Sequence, residues 1–321
     1  MPAAAPRLVR NAAFQLRKES TYGADAAPVN TDAVLFSQCD YEIDIAKVTR
    51  DNPRPFFGVM AELAGRELAR IKFTHELAAR GTAGVLPRWA NCLYGLGFAS
   101  TTLTSPDRVE FTPVSDGFDS FTGYAQQAGI QYASTGGRGT GTIDVTVGKV
   151  PTISVDITAL HQGESAVDPA ASFANWSQPL VLKPTNVVDF TYGGTYSAGA
   201  YTGGTKLTSR GFTLDIGNQV EYVEVASGDY VAIVDRKMKG TITFDLTVAN
   251  ELTQINKVRT SAPMRAAFTI GSGAGNTILL YMPWVQLTNP KSTTVNGIRM
   301  LTFDMTLIPD AGNDELRIVL P

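Results

Sequence analysis

The chain has 321 residues, 44% of them hydrophobic and 18% charged, with a formal net charge of −3 and a pI near 5.5. That balance leaves no basic field to hold nucleic acid by its phosphates, and two cysteines, Cys39 and Cys92, without metal-ligand spacing exclude a disulfide framework and point to a reduced, cytoplasmic site of synthesis. The most apolar stretch, Ile278 to Leu287, is too short to span a bilayer, and the N-terminal segment has arginines but no apolar signal core, so a soluble product without membrane insertion is expected.

The length accommodates two domains of about 150 residues, and an excess of Thr, Gly and Val favours strands and turns over helices. The first pattern begins near Phe14, runs through Ser20 to Asp25 into a Pro-containing turn, and reaches a strand at Asp40 to Ile45. Tyr41, Ile43 and Ile45 alternate there with Asp40, Glu42 and Asp44, which predicts one buried and one wet face. Ala46 to Arg70 follows, with Pro53, Pro55, Phe56, Phe57 and Gly58; it reads as an extended arm whose exposed apolar positions reach for a partner. A second strand, Ile71 to Ala78, leads to a helix over Leu86 to Leu96: Leu86, Trp89, Leu93 and Leu96 share a face, Pro87 suits the first turn, and Gly97 suits the stop.

Gly136 to Gly141 precedes a strand rather than a helix, so a flexible hairpin turn is expected there instead of a phosphate loop, and Gly271 to Asn276 reads the same way. Strands at 142–147 and 152–160 close this half, with Ile153, Val155 and Ile157 inward. A Gly/Tyr/Ser/Thr-rich stretch from Tyr192 to Gly204 follows a boundary placed near residue 170.

Beyond it the pattern recurs. Ile43-Asp44-Ile45 returns as Leu214-Asp215-Ile216 and Ile71-Lys72-Phe73 as Ile242-Thr243-Phe244, both at an offset of 171 residues. Between them, Gly217 to Gly240 alternates around Ser227-Gly228-Asp229 as a second hairpin arm. The counterpart of the helix is Ala249 to Arg259, expected to be shorter or differently surrounded. Strands at 277–287 and 299–308 complete the half, with Leu301, Phe303 and Met305 inward. The reading is mainly β, with two tandem modules at 1–170 and 171–321.

Chemistry is sparse. His75 takes the place of Leu246 in the repeat and reads as a structural, partly buried histidine, while His161 sits at a strand end. No nucleophile elbow or His-Glu-x-x-His occurs, so neither an enzyme nor a metal or cofactor site is expected. The acids at Asp40, Glu42 and Asp44 lie along a ribbon rather than a curved cation loop. With Asp156, Asp215, Asp245 and Asp304 they predict a polar, acidic sheet face that repels DNA phosphates.

Glu19 to Asp25, Arg50 to Arg54, Arg80-Gly81-Thr82-Ala83-Gly84 before the helix, Phe111 to Ser115, and Gly137 to Thr140 before a strand resemble, in their order, the tail tube (major tail) protein of long-tailed bacteriophages. The resemblance covers most of residues 14–160; the second half joins it through the internal repeat. It implies a β-sandwich or barrel module with one short flanking α-helix and a long hairpin arm, joined in rings that stack into a tube for genome delivery. Two modules per chain then give a pseudo-hexameric ring of three chains, with six chains and one external module as the rival. Expected partners are further copies of the chain, a tape-measure protein, tail-end proteins, and DNA passing without specific binding. Asp44, Asp156, Asp215 and Asp304 are candidates for the lumen, and Pro53, Phe56, Phe57, Tyr222 and Tyr230 for ring stacking. The alternatives are a tube of another injection or secretion apparatus and a carbohydrate-binding β-protein, the latter hinted at by Trp176, Tyr192, Tyr196 and Tyr201.

Overall fold

The computed structural model describes residues 7–174 and 176–321; the first six residues of the N-terminal segment read above lie outside the described residues. The first half contains β1 (Ala12–Lys18), β2 (Phe36–Val48), β3 (Leu63–Glu76), α1 (Ala90–Gly95), β4 (Phe98–Thr104), β5 (Asp107–Pro113), β6 (Phe121–Gln127), β7 (Ile130–Asp144) and β8 (Thr152–Ser165). The second contains β9 (Val187–Tyr192), β10 (Thr195–Ser197), β11 (Ala200–Thr202), β12 (Thr205–Lys206), β13 (Ser209–Asp215), β14 (Asn218–Val225), β15 (Gly228–Arg236) and β16 (Lys239–Phe244). It continues with α2 (Val248–Arg259), β17 (Met264–Gly271), β18 (Thr277–Val295), β19 (Ile298–Ile308) and β20 (Arg317–Leu320). The chain is mainly β, as its composition predicted.

One antiparallel sheet runs β2-β3-β8-β7-β13-β16-β19-β18-β17-β9-β12. Period-two alternation builds it: Ile71 stands opposite Ile157, Ile153 opposite Ile143, Ile143 opposite Leu214, and Ile242 opposite Phe303. All of these are buried, on one side of the sheet, in a core that extends through both halves from Phe14 to Leu320. The inward positions expected of Ile153, Val155, Ile157, Leu301, Phe303 and Met305 are borne out. At the far end of the chain β20 pairs with β18 on one side and β5 on the other, tying the C-terminus into the first half.

Three local expectations are corrected. Gly136 to Gly141 lies inside β7 instead of forming a hairpin turn. These glycines serve close packing: a Cβ on Gly137 would come within 2.6 Å of the Phe121 ring, and one on Gly139 within 2.2 Å of the Asp156 carbonyl oxygen. The ladder also slips register between Thr135 and Arg138, the behaviour of a bulge. The helix expected at 86–96 is only Ala90–Gly95, with Leu86 40% exposed ahead of it, while Gly97 at φ +77° ends it as anticipated. The second helix is the longer one, capped by Thr247, whose Oγ1 accepts from the Asn250 amide, and closed by Lys257 and Arg259 in its last turn. Its surroundings differ as well: α1 is buried, whereas α2 exposes Val248 and Leu252.

Candidate functional site: a polar sheet face and two arms

The side of the sheet opposite the core is polar. Asp156 lies between buried Val155 and Ile157, Asp215 beside buried Leu214, and Asp304 between buried Phe303 and Met305, so pleating turns all three outward. Asp44 joins them through Arg70, whose Nη2 lies 3.2 Å from its Oδ2, and Lys72 holds Asp156 at 3.0 Å. Asp215 stands in register with Lys239 and Thr142, and Asp304 accepts from Asn289 Nδ2 at 2.8 Å. Between the charges runs a hydroxyl ladder: Thr74 with Ser154, Thr213 with Thr241, and Thr243 with Thr302 and then Thr293. The face is therefore hydroxyl-rich with its acids partly matched by cations, less acidic than strand alternation alone suggested. Exposed pairs of this kind contribute about 0–1 kcal/mol each to stability, so this chemistry serves whatever meets the face rather than the fold.

Each arm leaves the sheet between two neighbouring strands. The first is residues 49–62, between β2 and β3, where Phe56 is 64% exposed and Phe57 fully exposed; Arg54 lies over the Phe56 ring. The second is the β14–β15 hairpin, between β13 and β16, as its alternation predicted. Tyr222 donates to Asp229 at 2.9 Å and lies under Arg66, and Tyr230 is partly exposed.

The titratable groups inside the fold are structural. His75 is fully buried between Phe73, Trp89 and Trp176 with Nδ1 3.2 Å from the Glu76 carbonyl, and burial holds its pKa down at about 4. His161 has a buried side chain whose Nδ1 meets the Tyr41 hydroxyl at 2.9 Å. Burial raises both thiols, that of Cys39 to about 12. Among the described residues no group of His, Cys, Asp and Glu is placed to hold a metal ion, and no helix is long and apolar enough to cross a membrane.

The sequence model of a family described as phage tail tube protein matches residues 10–307. The chain belongs to this family. It is accordingly a structural component of a phage tail tube, located in the virion tail, assembling with its own kind into the tube and performing no enzymatic reaction. A comparison with curated proteins found no match.

For a tail tube protein the aromatics that hinted at a sugar groove have other duties. Tyr196 and Tyr201 pack on Tyr281, with their hydroxyls donating to Glu110 and to the Arg265 carbonyl; Tyr192 lies under Lys257, and Trp176 Nε1 donates to the Ala33 carbonyl. The sequence reading assigned no role to the cluster that seats the second arm. Glu19 is 5% exposed; its Oε1 accepts from the Gly136 amide and Thr122, and its Oε2 from the Gly23 amide and Ser120. Above it Arg138 stacks over Tyr22 and donates to the carbonyls of Phe118, Asp119 and Val231. The available signal was a lone arginine within a glycine run, a cation placed where small neighbours leave room for a guanidinium.

Proposed function

We propose that three chains form each ring of the tube of a long-tailed phage, each chain supplying two sandwich or barrel modules, 1–170 and 171–321. The observation that carries this reading is a repeated strand order. β2, β3, β8 and β7 lie side by side in the same sequence as β13, β16, β19 and β18, with the matched residues Ile71 and Ile242 on β3 and β16. The β7–β13 pair joins the two sets. Among the described strands β2 pairs only with β3, and β18 beyond Val285 only with β19, so the eight-strand array ends in two open edges. Open edges are aggregation-prone unless covered, and head-to-tail pairing of one with the other closes a ring.

In the closed ring the polar face turns inward, with Asp44, Asp156, Asp215 and Asp304 along the lumen, where a tape-measure protein lies during assembly and DNA later passes without specific binding. Stacking draws on the first arm, with Pro53, Phe56 and Phe57 as candidates; on the second, Tyr222 is engaged within its own chain by Asp229 and Arg66. Tail-end proteins close the two ends of the tube.

The β7–β13 joint gives the register for the test. Asp215 faces Thr142 there; the corresponding residues at the open edges are Asp44 on β2 and Thr293 on β18, since Thr293 lies in β18 opposite Met300 as Thr142 lies in β7 opposite Ser154. Cα atoms of such cross-strand pairs lie about 4.5–5.5 Å apart, within disulfide reach. An Asp44→Cys/Thr293→Cys variant, oxidised after assembly, is expected to yield covalent trimers on a non-reducing gel, with neither single variant doing so. Absence of any cross-link between chains in assembled tubes would overturn this pairing, as expected if six chains form the ring with residues 171–321 outside it.

A further inference from the structure

The two arms start from matching places but only one is fastened. The second is bound into its own chain from its base as far as Val231, and its tip, residues 224–230, is exposed. Asn218, at its base, donates from Nδ2 to the carbonyls of Leu96 at 2.7 Å and Gly139 at 2.9 Å. Midway, Val231 is held from both sides: its carbonyl accepts from Arg138 Nη1 at 2.8 Å, and its amide donates to the Tyr22 hydroxyl at 2.6 Å. Tyr22 can sit there because residue 136 is glycine; a Cβ at that position would lie 2.7 Å from the phenol oxygen. Val231 is fully buried and Ile233 nearly so, and at the return to the sheet Arg236 donates to the Val114 carbonyl and pairs with Glu315. Most of these partners, Tyr22, Leu96, Val114, Arg138 and Gly139, belong to the first half of the chain.

Residues 49–62 present the opposite picture. Phe56, Phe57 and Val59 are 64%, 107% and 98% exposed, and the flanking strand residues Val48 and Leu63 are about half exposed. Apolar side chains this exposed on consecutive arm positions mark an interaction surface. The arm joins the end of β2 to the start of β3. In a closed barrel strands tilt by about 35–45° from the axis, so an extension at strand ends leaves over the rim of a ring, where the next body encountered is another copy of the chain.

We propose that the two arms have divided the labour: the β14–β15 hairpin is an internal buckle that fixes the second half against the first, and 49–62 is the arm that grips a second copy in the adjoining ring. On the three-chain reading, on which this rests, each ring is held to the next by three adhesive arms and not six.

Two variants and the wild type decide it. Wild-type chains are first shown to grow tubes; failure at that step would overturn the tube reading beneath this inference. Phe56→Asp/Phe57→Asp is expected to give single rings in normal yield while mean tube length, by negative-stain microscopy, falls at least tenfold. Val225→Asp/Tyr230→Asp, at the tip of the second arm, is expected to leave tube length unchanged. Normal tubes from the first variant, loss of its rings, or equal shortening by the second would overturn the division of labour. The buckle is read separately by hydrogen exchange: Tyr22→Phe, which keeps the ring stack and removes only the acceptor for the Val231 amide, is expected to speed exchange at Val231 at least tenfold in the unassembled subunit. Unchanged exchange there would overturn it.

Discussion

Leu214 stands in register with Ile143, and both are fully buried. This antiparallel pair is where the two halves of the sheet meet, so the hydrophobic contact that joins them is also part of the common core. Replacing Leu214 with Ala removes three buried carbons and leaves a cavity at the joint, for which large-to-small core changes cost about 2–5 kcal/mol. Urea denaturation of the unassembled subunit is expected to show a lower midpoint for the variant with one unfolding transition retained, because the core is contiguous. Two separated transitions would mean that the halves fold independently.

Glu19 has its carboxylate oxygens shared among two amides and two hydroxyls in a buried site. Glu19→Gln puts an NH₂ group where one oxygen accepted, turning two donors toward a donor. Loss of hydrogen bonds to a buried charged group costs about 1.5–3 kcal/mol, so the melting temperature is expected to fall by several degrees. A change below one degree would mean that the carboxylate does not organise this loop.

His75 gives the subunit a pH dependence of known sign. Its folded pKa is lowered by burial to about 4 from the ordinary 6.5, so between these values the unfolded chain binds a proton that the folded chain does not. Stability is fully present above pH 6.5 and declines as pH falls toward 4, by up to about 3 kcal/mol from this group alone. His75→Leu, the residue found at the matching position 246, is expected to flatten that window when unfolding is measured at pH 7 and pH 5. An unchanged slope would assign the pH dependence to other groups.

On the polar face, Asp156 and Asp215 are expected to act on passing DNA and not on the fold. Asp156→Lys/Asp215→Lys is expected to shift subunit stability by less than about 1 kcal/mol, yet to slow genome release from assembled particles in a dye-exclusion assay, because added cations in a narrow bore bind phosphates. Unaltered release would place this face elsewhere than the lumen.

What the sequence disclosed follows from where the physics is local. Alternation set by a pleat needs only neighbouring residues, which is why Ile153, Val155, Ile157, Leu301, Phe303 and Met305 were legible as core, and Ser227-Gly228-Asp229 as a hairpin tip. The glycine run at 136–141 misled because its purpose is tertiary: nothing within the run reveals that Phe121 and Asp156 press against it. The shortened first helix has the same cause, since spacing places Leu86 on the helical face but only the fold reveals that it stays 40% exposed. The buckle was hidden for a related reason. Tyr22, Arg138 and Val231 lie far apart in sequence, and the chemistry of Arg138, three donors to three carbonyls, has no local signature.

Electron microscopy of assembled tubes, averaged without imposed symmetry, tests the central claim most directly. The account predicts three chains in each layer, six similar sheets around a continuous bore, and contacts between layers repeating three times per turn. Six chains per layer, with residues 171–321 outside the bore, would contradict it.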